Sequence, residues 1–226
     1  MTNKKKIAAL LPLKANSERI PGKNFKNIAG KPLFRWMLDT LLAVPEIDSV
    51  IINTDATDQL LLAGLDDSQV LLRERPAELC GDFVSMNDII RNDIDNSDFD
   101  IYLMTHVTNP LISTETVYKA ISAFHKQDAS SLFSVNRFQT RFYSKDGSPI
   151  NHDPENLIRT QDLEPWYEEN SCIYLFTRDS FFKHNARIGS NPIMFETPKF
   201  ESADIDEPED WMIAEALLRR LPTDGI

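Results

Sequence analysis

The chain has 226 residues, 42% of them hydrophobic, and 35 acidic against 24 basic side chains give a formal net charge of −11. That length and apolar content suit a single α/β domain, residues 1–226, with a substantial core, while the acidic balance argues against nucleic acid, which calls for a basic face. No stretch approaches the roughly 20 apolar residues of a membrane span, and the short apolar run behind Lys4, Lys5 and Lys6 lacks the cleavage site of a signal peptide. The two cysteines, Cys80 and Cys172, stand far apart in no paired motif, so the expectation is a cytoplasmic protein with reduced thiols.

The apolar run Ile7–Leu13 predicts a buried strand, too short for a helix. It stops in a polar segment carrying Lys14, Arg19, Lys23, Lys26 and Lys31, a positive density out of character with the whole chain. A basic loop leaving the carboxyl end of a parallel strand is where open α/β sheets hold ligands, and cations there suit phosphates. Pro32 then opens a helix with Leu33, Trp36, Met37, Thr40 and Leu41 on one face. Asp48–Thr54 predicts a second strand, 57–65 a helix, and Val70–Leu72 a short third strand. This alternation implies parallel pairing and a doubly wound sheet.

A loop, Arg73–Asp82, leads to Ser85, a candidate N-cap for a helix around Ile89, Ile90 and Ile94. Asp100–Thr105 predicts another strand, and His106, Val107 and Thr108 fall in the loop at its end. Ser113 or Thr114 caps a helix reaching about His125, with Glu115 placed as the helix dipole prefers. Ser130–Val135 is a strand, after which the pattern breaks until Asn170, and a polar stretch that long within one domain is rarely idle. Asn170–Phe176 restores a strand. Finally, Asp204 and Asp206 are two apart, so on extended backbone both carboxylates project to one side. Two like charges held together need a cation or good solvation, and Mg²⁺, which favours carboxylate oxygen and shared phosphates, is the natural choice. Ile213, Ala214, Leu217 and Leu218 give the periodicity of a closing helix.

The order Lys14-x-x-Ser17-x-Arg19-x-Pro21-x-Lys23-Asn24, followed by Gly30-Lys31-Pro32-Leu33, resembles the signature loop of the sugar-nucleotide cytidylyltransferases. These enzymes activate acidic 3-deoxy-2-keto sugars with CTP. The Lys23-Asn24 pair resembles the acylneuraminate branch more than the Kdo branch. The resemblance implies a Rossmann-like nucleotidyltransferase with a mostly parallel sheet and a small dimerisation excursion over 137–170. It implies Lys14 at the α-phosphate, Ser17, Arg19 and Lys23 around the β and γ groups, and Asn24 near ribose or base. Arg75, within Arg-Pro-Ala-Glu-Leu, would help hold the cytosine, with Ser85 nearby. His106 and Thr108 stand in the block that contacts the sugar, and Asn170 stands where an amide would bond sugar hydroxyls. The excursion would pair with its copy in a homodimer, with Arg141, Arg159 and Gln161 completing the sugar site and the two arginines suited to a carboxylate. Asp204-Ile205-Asp206 would hold Mg²⁺, so that Lys14, Lys23, Asp204 and Asp206 carry the chemistry.

The chain departs from the family pattern at Lys14 (usually arginine), Glu18 (often lysine), Met86 (a second serine), His106 (glutamine) and Ser171 (glycine). Three other readings stand beside the first: a CMP-Kdo synthetase-like enzyme, a nucleotide-sugar glycosyltransferase with an Asp-x-Asp pair, and a non-catalytic nucleotide-binding protein.

Overall fold

The computed structural model describes residues 4–220. Strand β1 (Ile7–Leu10) is the apolar run expected from the sequence, with all four residues buried. It ends earlier than Leu13 because Pro12 has no N–H to give the ladder. Single bonds from Leu11 N to Ile51 O (2.9 Å) and Leu13 N to Asn53 O (3.2 Å) carry the pairing past it. The basic segment folds into one 3₁₀ turn, Lys23–Phe25, and a two-residue hairpin, β2 (Asn27–Ile28) with β3 (Lys31–Pro32). Ala29 and Gly30 close that hairpin with positive φ of 49° and 109°, which matches the right-handed twist of paired strands.

Thereafter strands and helices alternate: α1 (Leu33–Leu42), β4 (Ser49–Thr54), α2 (Thr57–Leu62), β5 (Val70–Glu74), α3 (Met86–Asp95), β6 (Ile101–Met104) and α4 (Thr114–Lys126). The second half adds β7 (Ser131–Phe138), β8 (Trp166–Thr177), α5 (Arg178–His184), β9 (Ile193–Glu196) and α6 (Pro208–Leu218). The seven-stranded sheet runs β5-β4-β1-β6-β8-β7-β9, and β8 alone is antiparallel to its neighbours. From β1 the chain steps outward to β4 and β5, then returns to the other side of β1 with β6. That reversal opens a crevice beyond the carboxyl ends of β1 and β6, where doubly wound sheets bind ligands.

Alternation along β1 divides the core. Ile7 and Ala9 join α1, α4 and α6 through Met37, Ile121 and Trp211 on one face, while Ala8 and Leu10 meet Ile90 and Ile94 of α3 and Phe181 of α5 on the other. The closing helix differs from the sequence pattern. Trp211, Ala214 and Leu218 form its buried stripe, Leu217 is half-buried and Ile213 is exposed, because the indole of Trp211 sets which side faces the sheet. Helix α5, strand β9 and the antiparallel sense of β8 had no signal in the periodicity.

Strands β7 and β8 run on as a ribbon, Val135–Phe138 against Trp166–Glu169, and residues 139–165 cross between their far ends. Where the ribbon leaves the sheet the register slips between Phe133 and Val135, and Ser171 opposite takes φ 59°. A left-handed conformation costs a non-glycine residue roughly 1–2 kcal/mol. Ser171→Gly is expected to leave stability within about 1 kcal/mol, since relief of that strain offsets the freer unfolded chain, while Ser171→Val lowers it by about 2 kcal/mol. Urea midpoints of the two variants check the order, and equal stabilities would contradict it.

Candidate active-site cleft

The crevice encloses about 340 Å³ between the loop after β1, the segment 81–89, the loop after β6, and Asp206, within the range of about 300–1,000 Å³ usual for small-ligand sites. Its first lip is the basic loop. Gly22, at φ 65°, turns the chain into the 3₁₀ segment, and Asn24 Nδ2 donates to Lys14 O at 2.8 Å, fastening the loop onto itself. Lys23 is 8% exposed; its ammonium donates to Ile205 O at 2.5 Å and lies 3.6 Å from Asp206 Oδ1. Arg19 bridges Asp206 (3.0 Å) and Glu207 (3.0 Å), which raises the guanidinium pKa further. Lys14 pairs with Asp82 from the far side.

The acidic lip is fixed just as firmly. Ile205 is fully buried and its N–H donates to Thr108 O at 2.9 Å, tying the aspartate segment to the loop after β6. Of the two flanking aspartates, Asp206 lines the cleft and Asp204 lies outside its lining. Asp206 N and Glu207 N both donate to Asp210 Oδ2, and Glu207 with Asp210 forms the capping box of α6. Desolvation holds the Asp204 carboxyl above its usual range; a hydrogen bond from the Thr108 hydroxyl pulls it back, and the charge of Asp206 raises it again. Among the described residues no group of three or more His, Cys, Asp or Glu is arranged to hold a metal. Two neighbouring carboxylates nevertheless suit a hard cation that takes its remaining oxygens from phosphate and water.

At the opposite end Arg75 is nearly buried. Its Nε donates to Asn53 Oδ1 (2.9 Å) and its Nη2 to Leu13 O (3.0 Å) and Asn53 O (2.7 Å), leaving Nη1 without a partner among the described residues. Burial lowers its pKa, and arginine stays charged regardless. Asn53 in turn donates to Asp93 Oδ1 at 2.8 Å, and Arg73 pairs with the same carboxylate at 3.0 Å. Burial pushes Asp93 up to about 6 against those two partners. Sequence reasoning missed Asn53, Asp93 and Asp82. The first two left a trace, a polar residue inside an apolar strand and an acid on the apolar face of α3, since buried polar groups require partners.

The cleft thus gathers Lys14, Ser17, Arg19, Lys23, Asn24, Arg75, His106, Thr108 and Asp206 from distant parts of the sequence. The other residues singled out from the sequence lie outside its lining. Ser85 caps α3 as expected, accepting from Asn87 N at 3.2 Å. Asn170 has its amide engaged by Asn136, Thr197, Ser134 and the N–H of Cys172, which holds the bulge together instead of facing the cleft. Arg141 donates to Ile158 O, Arg159 forks onto Asp162, and the carbonyl of Gln161 accepts from Gln139, all within the crossing segment 139–165.

The cytidylyltransferase family model matches residues 8–207. The chain is 32% identical to N-acylneuraminate cytidylyltransferase of Oncorhynchus mykiss over 99% of its own length and 52% of that protein. It thus spans about half the length of this relative. It is also 27% identical to CMP-N,N'-diacetyllegionaminic acid synthase of Legionella pneumophila, covering 94% of this chain and 96% of that one. Among solved structures, CMP:2-keto-3-deoxy-manno-octonic acid synthetase complexed with CTP superposes with a TM-score of 0.69 at 18% identity, over 94% of this chain and 98% of that one. 4-diphosphocytidyl-2C-methyl-D-erythritol synthase of Anaerococcus prevotii superposes at 0.71 and 16%, over 96% and 97%. These two likenesses carry the fold.

His106 is half-buried, and desolvation, with a smaller effect from the charge of Arg187, pushes its pKa down to about 4. Its imidazole is therefore neutral across the physiological range, one nitrogen donating and one accepting. Between pH 6.5 and 4 the unfolded chain takes up a proton that the folded one refuses. Stability accordingly falls as pH drops through that window, by at most about 1.4 kcal/mol per pH unit. A histidine NMR titration is expected to show a midpoint near 4, and His106→Gln to flatten the pH dependence of unfolding; a midpoint near 6.5 would contradict this.

Proposed function

The chain belongs to the cytidylyltransferase family, and on that premise we propose that it transfers CMP from CTP to the anomeric hydroxyl of a sialic-acid-like 2-keto-3-deoxy sugar acid, releasing pyrophosphate. The observation that carries the reading is the meeting of Lys23 and Asp206, 3.6 Å apart across one cleft though 183 residues apart in sequence (206 − 23). Relatives named for N-acylneuraminate, legionaminic and pseudaminic acids support a nonulosonic acceptor.

In the proposed reaction the anomeric oxygen forms a bond to the α-phosphorus as the α–β phosphoanhydride bond breaks. The hydroxyl proton leaves to solvent or a nearby base, and pyrophosphate departs with the bonding pair. Catalysis of this kind rests on positioning and charge neutralisation more than on covalent participation. Lys14 meets the α-phosphate, and Ser17, Arg19 and Lys23 surround the β and γ groups. Their present partners Asp82, Asp206 and Glu207 are counter-ions that the triphosphate displaces. Asn24 lies toward the ribose, and Arg75, its plane set by Asn53, offers Nη1 to the cytosine. His106 and Thr108 present neutral donors and acceptors to the sugar. Asp204 and Asp206 would hold Mg²⁺, which supplies Lewis-acid neutralisation of the phosphate charge when bound.

Residues 1–226 act, on this reading, as one catalytic unit in which 137–170 joins a second copy. An apolar surface on the excursion supports the homodimer. Phe138, Tyr143, Leu157, Ile158 and Trp166 are exposed, and Phe142 stacks on Trp166 at 5.4 Å. Exposed apolar residues gathered on one segment mark interaction surfaces more often than singly scattered ones do. Dimerisation would carry Arg141, Arg159 and Gln161 toward the partner's cleft.

A pyrophosphate-release screen with CTP, Mg²⁺ and a panel of nonulosonic acids and Kdo tests the function. Turnover with no acid in the panel would overturn it. Asp206→Ala and Lys23→Ala are each expected to lower kcat/KM by about 10²-fold or more, and values within threefold of wild type would remove those residues from the chemistry.

A further inference from the structure

Arg187, between α5 and β9, belongs to none of the assignments above. Its side chain is 22% exposed, with Nη2 3.6 Å from Glu169 Oε1. The guanidinium lies 3.9 Å from the centroid of the Tyr174 ring, and Nη1 reaches Met104 Sδ at 3.8 Å. Among the described residues its five N–H groups donate a hydrogen bond to no oxygen. A mostly desolvated guanidinium without an oxygen acceptor is a group built for a ligand oxyanion.

The support beneath it is rigid. Tyr174 bonds Glu169 through its hydroxyl and Ser171 Oγ at 3.1 Å, so the ring that carries Arg187 is pinned at both ends of the bulge. Stacking takes up a guanidinium face and leaves the in-plane edge open. Arg187 lies outside the cleft lining itself, but its contact with Met104 puts it at the last residue of β6, two residues before His106, which lines the cleft. The cations of the phosphate lip already face Asp82, Asp206 and Glu207. Arg141 and Arg159 are bonded within the excursion. An acceptor acid brings a charge of its own into the crevice, and a carboxylate leaving water needs a cation.

We propose that Arg187 anchors the carboxylate of the acceptor sugar acid through its in-plane N–H groups, at the end of β6 that leads into His106, and so selects acids over neutral sugars. This rests on the proposed function and adds a specificity-determining residue to it. The test compares each acid of the panel with its methyl ester in the wild type, Arg187→Ala and Arg187→Lys. Arg187→Ala is expected to lose at least tenfold in kcat/KM for the acid, through the acceptor KM. The ester should lose little, the KM for CTP should stay within twofold, and Arg187→Lys should recover part of the loss. Equal losses for acid and ester, or a CTP KM that rises in parallel, would overturn the anchor. A binding readout needs no turnover: His106 ring shifts on adding each acid or its ester to the protein without CTP. Shifts with an acid and not its ester, lost in Arg187→Ala, uphold the anchor even where no acid releases pyrophosphate, a result that refutes only the proposed function. No shift with any acid overturns the anchor.

Discussion

The cleft depends on opposite charges meeting across it. An acidic chain that concentrates cations on one loop must hold them apart from one another while no ligand neutralises them. Arg19 and Lys23 are held by Asp206 and Glu207, and Lys14 by Asp82. Most of these pairs are half exposed and contribute little to stability. What they fix is where the charges point. The firm attachment is beneath them, in the buried side chain of Ile205, its bond to Thr108 O and the grip of Lys23 on Ile205 O. The two lips are thereby linked through the loop after β6, and a ligand that engages one must be felt at the other.

A second linkage serves the Arg75 end of the cleft. Leu13 and Asn53 close the carboxyl ends of β1 and β4, and the guanidinium of Arg75 is fastened to both. Asn53 reaches through Asp93 to Arg73, so α3, whose Met86 and Ile89 wall the cleft, is tied to the strand that holds Arg75. A buried network of this kind is firm only while every member is satisfied. In this way the carboxyl ends of the strands, the helix and Arg75 form one unit.

Much of this was legible in the sequence. The apolar run of β1 followed by clustered cations located the crevice, and alternating elements gave the parallel sheet. The Asp204-Ile205-Asp206 spacing led to an expectation of two carboxylates on one side; Ile205 is buried between them, and Asp206 lines the cleft while Asp204 does not. The hidden part has physical reasons. Local periodicity cannot report that β8 pairs antiparallel with β6, because register is set by partners far away in sequence. Asn170, expected to bond sugar hydroxyls, has its amide taken up within a bulge. Asp82 pairs with Lys14, 68 residues away (82 − 14), a distance no motif in this chain spans.

The central claim is that the basic loop and the aspartate segment act as one gate on a triphosphate. Amide hydrogen exchange with CTP and Mg²⁺ tests it most directly. The account predicts that exchange slows together over residues 19–26 and 205–211, which lie on opposite lips. Protection confined to one of these segments, with the other unchanged at saturating CTP, would contradict it.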